Sequence, residues 1–426
     1  MRHTRPSWFF LPLFFVCTMA LSAPPELVGD GVADDTVAIQ SMLDNDRAVY
    51  LPPPIKNYLI SKPLRLKSGQ SLRLDGNTVV RLADGAMQYL LVNDDFTNGN
   101  QNIHVSGGIW DGNNLTQTCD YHQPGGTWRV PFDPARYLGC VMMFKNVKNL
   151  RLEKLTIKDP ETFGIHLGNV ERFTVEDITF DYNLQRNNMD GVHVQGGCLL
   201  GRIANLKGNT HDDMVALNAD DGAMFEITKG PISDIQIDGL FCTNGYTAVR
   251  LLSAGNPVKR VRISNLFGSF RFNGISFTHH NVYPGEPSVF EDIVIDGVFS
   301  AKQLEKDVKP EPWQEGPRRS HALVYIQRDV KIDNLAIQNL SRREWMSGAA
   351  PTFWIEAEAK VETLRLSGIH QVNNVEEPLK FFLNDGSINR LFLDGVVVRE
   401  AGGKKQETLI QGKGTIQESF GTIESE

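Results

Sequence analysis

One short phrase recurs along this chain: an apolar residue, a polar one, another apolar one, two residues drawn mainly from Asp, Asn, Gly, Glu and Lys, then an apolar one. It reads Leu150-Arg151-Leu152-Glu153-Lys154-Leu155, Phe173-Thr174-Val175-Glu176-Asp177-Ile178 and Ile235-Gln236-Ile237-Asp238-Gly239-Leu240. Further copies run from Val261 to Leu266, Ile293 to Val298, Leu364 to Ile369 and Leu391 to Val396. Alternation at period two, broken by a turn-forming pair, describes a strand, a bend and a second strand. The step between copies is 23 residues from Leu150 to Phe173 and lengthens to 32 from Val261 to Ile293. Units repeating at such steps stack as solenoid coils, each burying an apolar face that it cannot bury alone. Propeller blades carry four strands at longer, more even spacing. The pattern therefore predicts an all-β chain folded as a right-handed parallel β-helix.

A solenoid must cover its end strands. Gly29-Asp30-Gly31-Val32-Ala33-Asp34-Asp35-Thr36, followed by Val37, Ala38, Ile39, Met42 and Leu43, predicts a turn, an acidic N-cap and a short capping helix over the first coil. Two departures from the repeat are rich in Gly, Pro, Trp and charge: Asn113 to Tyr137, and Tyr283 to Ser288 together with Lys302 to Arg319. Both are predicted as surface loops, where a solenoid builds its binding walls. At the front, Arg2 and Arg5 precede an apolar run from Trp8 to Met19 and the small residues Ala20-Leu21-Ser22-Ala23. That order describes a signal peptide over residues 1–23, a secreted or periplasmic destination, and one β-helix catalytic domain over 24–426.

Four cysteines follow the leader. Cys198 and Cys242 read as small core residues, while Cys119 and Cys140 flank the first loop, where a bridge closing it suits an exported protein. No pair has the Cys-x-x-Cys spacing of a zinc or redox site. The net charge of −8 and pI near 5.7 argue against nucleic acid or an anionic membrane as partner. The expectation is a monomer without metal or cofactor whose partner is a polysaccharide or oligosaccharide.

Chemistry is expected where Asn188-Met189-Asp190-Gly191 is followed, about one coil later, by His211-Asp212-Asp213. Stacked coils would set three carboxylates on one patch, where mutual repulsion divides acid from base roles. Paired carboxyls of this kind cut glycosidic bonds. Asp190-Gly191 alone could be a turn, but adjacent acids opening the apolar Met214-Val215-Ala216-Leu217 segment are repulsion that a turn does not need. The second pair, Asp220-Asp221, reads as a solvated turn before Gly222, with calcium binding the lesser alternative.

Together these pieces resemble the pectin-lyase-like β-helix superfamily, and within it the polygalacturonases of glycoside hydrolase family 28. The segment at 29–40 is similar to that family's N-terminal cap, Asn188-Met189-Asp190-Gly191 to its Asn-Thr-Asp-Gly, and Asp212-Asp213 follows at the family's spacing. The resemblance implies Asp212 as general acid, Asp190 and Asp213 holding and activating the attacking water, and inversion with carboxylates far enough apart to admit that water. Two later family motifs are altered. Its Gly-His-Gly becomes Asn244-Gly245-Tyr246-Thr247, and its Asn-Gly-x-Arg-Ile-Lys becomes Asn273-Gly274-Ile275-Ser276-Phe277-Thr278. Since that Arg and Lys hold the sugar's carboxylate in the family, their loss implies a different or neutral sugar at the cleavage point.

Candidate substrate-binding residues are Asn188, His211, Tyr246, Arg250, His279, His280 and Trp128. Arg250, between Val249 and Leu251, points outward from its coil and with His279-His280 could stand in for the missing bases, a plain surface charge being its alternative. His211 could tune the acids or make a structural hydrogen bond. His166 and His193 fall inside strand patterns, where packing is expected. Trp128, inside the first loop, is the favoured platform for a sugar face over Trp110, Tyr137 and Tyr246. A polysaccharide lyase or epimerase acting on a uronate polymer, and a non-catalytic carbohydrate-binding β-helix, are the rival readings.

Overall fold

The computed structural model describes residues 26–279, 283–303, 321–346, 350–401 and 408–425. The signal peptide, His280 and nearly all of the 302–319 loop lie outside the described residues. The fold is a right-handed parallel β-helix, in which one sheet of nineteen strands and one of twelve run the length of the stack. Among the described residues the one α-helix is Thr36–Asn45.

The recurring phrase explains the stacking residue by residue. Its third position forms the column Leu152, Val175, Ile203, Ile237, Ile263, Ile295, Ile337, Leu366 and Leu393, each paired with the next. All but the terminal Leu393 are at most 1 % exposed, and each such burial contributes about 1.5–3 kcal/mol. The fifth position has positive φ in every coil: Lys154, Asp177, Asn205, Gly239, Asn265, Gly297, Asn339, Gly368 and Gly395. Gly, Asn and Asp enter that left-handed region at lowest cost and fill eight of these nine positions, Lys154 being the exception, which accounts for the polar pair and for the bend it makes.

Two coils of this ladder escape the sequence pattern. Leu335-Ala336-Ile337-Gln338-Asn339-Leu340 carries Ala at the second position, where most copies are polar and two others carry Val294 and Phe392. Gly201 opens another coil where an apolar residue belongs, because the Phe173 ring from the coil before fills its place. A Cβ at Gly201 would sit 2.1 Å from that ring.

The N-terminal helix buries Ile39 and Leu43 in the core and so covers the first coil. Its acidic cap differs from expectation. The Asp35 carboxylate turns back to accept from the Val28 and Gly29 amides, at 2.7 and 3.1 Å, and Asp34 accepts from the Thr36 amide at 2.9 Å. The tight Gly29 turn supplies donors that outcompete the helix end.

The Asn113–Tyr137 loop folds back onto the solenoid around a second apolar cluster that includes Cys119, Tyr137, Leu138, Cys140, Phe163 and Phe225. Cys119 and Cys140 are free thiols there, so the expected bridge is absent. Cys119 Sγ faces His122 Nδ1 at 3.6 Å and Cys140 Sγ faces His166 Nδ1 at 3.5 Å. Apolar packing, not a covalent link, closes the loop. Cys198 and Cys242 belong to the main core.

Candidate active site

Five successive rungs of the twelve-stranded sheet build the site: Val192–Gln195, Asp213–Asn218, Thr247–Leu252, Ile275–Thr278 and Val324–Ile326. Val192, Val215, Val249, Ile275 and Val324 stack inward. Period-two alternation then sends the column His193, Ala216, Arg250, Ser276 and Tyr325 outward, one residue per coil. This outward face floors a cavity of about 600 Å³. Tyr121, Trp128 and Phe225 wall one end, and His279, His321 and Gln327 line the other.

Asp190, Asp212 and Asp213 enter this cavity together, with one oxygen of each within 4.8 Å of the others. Gly191 allows it. Its amide donates to the Asp213 carbonyl at 2.9 Å, and a Cβ there would lie 2.4 Å from the Met214 carbonyl oxygen. Asp190-Gly191 is therefore a point of close coil approach as well as a turn. One oxygen of each acid thus converges over the open face of the trio.

Asp190 and Asp213 are each 3 % exposed, and Asp212 is the more accessible of the three. Burial, then the charge of Asp212, pushes the Asp213 carboxyl up to about 8 against the pull of Arg250. Burial, then the charge of Asp190, lifts Asp212 far above the usual carboxylate range. Asp190 is also raised by burial, and the hydrogen bond from His193 opposes that rise. Arg250 Nη1 stands 3.9 Å from Asp213 Oδ2, and Arg250 Nε donates to Thr278 Oγ1 at 3.0 Å.

Asn188, Trp128, Tyr246, Arg250 and His279 all line the cavity. Tyr246 stacks on Phe272, ring centroids 4.7 Å apart and nearly parallel, so an aromatic pair occupies the coils where the altered motifs fall. His279 Nε2 donates to the Glu286 carbonyl at 2.7 Å. His211 is not part of the lining. It is fully buried, and its Nδ1 is hydrogen-bonded at 2.6 Å to the Arg186 carbonyl. Trp110 is a core residue, and Tyr137 packs against Tyr89.

Two cavity residues were missed. His193, read as packing, bonds through Nδ1 to Asp190 Oδ2 at 2.5 Å and through Nε2 to Asp221 Oδ2 at 3.1 Å. Burial opposes its charge, but those two carboxylates outweigh burial and raise it to about 9. Its position between Val192 and Val194 was the available signal, because both valines point inward. Asp220-Asp221, read as a solvated turn, is buried. Asp220 accepts from the Ala254 and Asn256 amides, both at 2.8 Å, while Asp221 accepts from His193, Gln195 and Asn218. The turn faces a neighbouring coil and the cavity, not solvent.

Two groups among the described residues have donor atoms close enough to share a cation: the aspartate trio, and Cys119 with His122 and Glu161. In each a side-chain cation is already at hand. Arg250 and His193 serve the trio, and Arg186 Nε donates to Glu161 Oε2 at 2.7 Å.

A model of the family described as rhamnogalacturonase A/epimerase, pectate lyase-like matches residues 26–268, more than half of the chain. Among curated proteins, a preneck appendage protein of Bacillus phage PZA is 34% identical over 90 residues, 20% of this chain and 10% of its own length. An exopolygalacturonase of Arabidopsis thaliana is 23% identical over 300 residues, 66% of this chain and 58% of its own. The matches thus span less than two thirds of either relative. Among solved structures, the family 28 exopolygalacturonase of Yersinia enterocolitica superposes with a TM-score of 0.59 at 13% identity, covering 92% of this chain and 76% of that one. The mannuronan C-5 epimerase A-module of Azotobacter vinelandii gives 0.55 at 14% identity, covering 94% and 97%. A surface adhesin of Streptococcus pneumoniae gives 0.53 at 13%, covering 87% and 89%. These structures share the fold. The chain belongs to the rhamnogalacturonase A/epimerase, pectate lyase-like family.

Proposed function

We propose that this member of the rhamnogalacturonase A/epimerase, pectate lyase-like family is a glycoside hydrolase acting on a plant-type or related polysaccharide, exported by way of residues 1–23. The observation that carries the reading is the trio Asp190, Asp212 and Asp213, two buried and the third partly exposed, with one oxygen of each within 4.8 Å of the others and all open to a cavity of about 600 Å³. Three such carboxyls have no stabilising role, and they are the groups that protonate a leaving oxygen and activate a water. Asp212, accessible and raised in pKa, keeps a proton for the leaving-group oxygen. Asp190 and Asp213, helped by His193 and Arg250, hold the attacking water over the trio's open face. As the bond breaks, Asp212 gives up its proton and the water's proton passes to the Asp190–Asp213 side, so charge within the trio is conserved.

Tyr246 and Phe272 on one wall and Trp128 on the other offer apolar faces to a sugar ring. Arg250 is the one Arg or Lys side chain lining the cavity among the described residues. A single cation set among three acids favours a different or neutral sugar at the cleavage point over a uronate. The test is incubation with pectic, rhamnogalacturonan and neutral galactan polymers, followed by reducing-end assay, product mass and near-ultraviolet absorbance. Release of reducing ends without absorbance is expected. An unsaturated, absorbing product would replace this reading with a lyase. A change in sugar configuration without cleavage would replace it with an epimerase, and binding without turnover would leave a carbohydrate-binding module.

A further inference from the structure

Outside the three acids, the most constrained side chain at the site is His193. Both ring nitrogens face carboxylates, Asp190 at 2.5 Å and Asp221 at 3.1 Å. Its ring lies flat on Phe163, centroids 3.9 Å apart and 10° from parallel. Asp221 is itself fixed, taking Gln195 Nε2 at 3.1 Å and Asn218 Nδ2 at 3.0 Å. Gln195 is pinned in turn to the Phe225 carbonyl and, through Oε1, to the Ile227 amide at 2.6 Å. This is more anchoring than a packing histidine needs.

We propose that His193 is a positioning residue, an imidazolium clamped between Asp190 and Asp221 that fixes the Asp190 carboxylate and makes Asp190 a base while Asp212 stays the acid. The assignment rests on the hydrolase reading above and deepens it. A neutral imidazole carries one N–H, so it can donate to one of two facing carboxylates, and the other would be left as an acceptor against an acceptor. Asp221 Oδ2, at 3.1 Å, is nearer Nε2 than the Gln195 and Asn218 amide nitrogens, both at 3.4 Å and both already donating to Asp221, so a carboxylate at each nitrogen selects the doubly protonated ring. The other groups around it are His166, its ring centroid 5.0 Å away, and the carboxyls of Asp212 and Asp213, with Arg250 beyond. Burial opposes the charge and the flanking carboxylates prevail. Its cation partly offsets the repulsion that three close acids exert, and Asp190 is the one it touches.

The test pairs kinetics with a readout independent of activity. In the wild-type protein, nitrogen NMR should find both His193 nitrogens protonated at pH 7, the Nδ1 proton strongly deshielded by its short bond. His193→Asn, which can still donate but carries no charge, is expected to lose about a hundredfold in kcat with little change in KM. The acidic limb of its pH–rate profile should move up by about one unit, because Asp190 loses its stabilising cation. Asp221→Asn should produce a smaller loss in the same sense. A neutral His193 ring, or a His193→Asn enzyme with the wild-type kcat and pH profile, overturns the assignment while the hydrolase reading stands. Full activity in Asp212→Asn overturns the hydrolase reading, and the NMR result still reports on the clamp. If His193→Asn fails to fold, the wild-type spectrum alone decides.

Discussion

The strand Asp213–Asn218 has a pair of adjacent aspartates at each end, and the two pairs do opposite things. Asp220 and Asp221, just past its end, are saturated with donors: backbone amides and Asn256 on the first, His193, Gln195 and Asn218 on the second. Asp212 and Asp213, at its start, face the cavity and each other, with Arg250 at 3.9 Å as the cation Asp213 meets. Donors make a buried carboxylate part of the scaffold, whereas their shortage leaves it with a raised pKa and a proton to exchange. Identical residue types thus divide by the donors their surroundings supply.

Substitutions should separate the pairs cleanly. The largest expected effect is Asp212→Asn, which should cut kcat about a thousandfold or more while Tm holds or rises, since a buried repulsion is removed. Turnover assays beside a melting curve check both halves. Asp220→Ala should do the reverse. It strips the acceptor from two amides and Asn256, costing roughly 3 kcal/mol of stability by urea titration, with kcat of the folded enzyme little changed.

Stability against pH sharpens the contrast. The Asp213 carboxyl titrates near 8 when folded and near its ordinary 3.8 when unfolded, so the unfolded chain binds fewer protons between those values. Stability should fall as pH rises through that window, and Asp213→Asn should flatten the fall. His193, raised to about 9 from 6.5, adds a loss in the same direction between those values. Scanning calorimetry from pH 4 to 9 on the wild type and the variant reads the difference. The smallest effect is expected at Trp128, on the cavity wall and outside both pairs. Trp128→Ala should raise KM about fivefold, the equivalent of about 1 kcal/mol of stacking, and leave kcat alone.

Much of the fold was legible because one phrase carries it. The apolar positions of Leu150 to Leu155 and its copies became the buried columns, and the polar pair became the left-handed bend. Gly201 broke the pattern for a reason no local window contains: the ring filling its place belongs to Phe173, 28 positions earlier. Asp190, Asp212 and Asp213 were legible as a group because coil length sets the register. His193 was less so, although its alternation with Val192 and Val194 already pointed it outward. His211 sat beside the acids in sequence, yet it is buried against the Arg186 carbonyl and is not in the cavity lining.

By itself the amino-acid order determined the stacked β architecture and which acids share a patch, because both follow from periods of two residues and of one coil. Only the tertiary structure decided the state of each ionisable group. Whether Cys119 meets Cys140 or His122, and whether an aspartate is sated like Asp220 or met only by the Thr247 hydroxyl and Arg250 like Asp213, depends on donors delivered from other coils and loops. A carboxyl's proton affinity is a property of its surroundings, and those surroundings exist only once the coils have stacked.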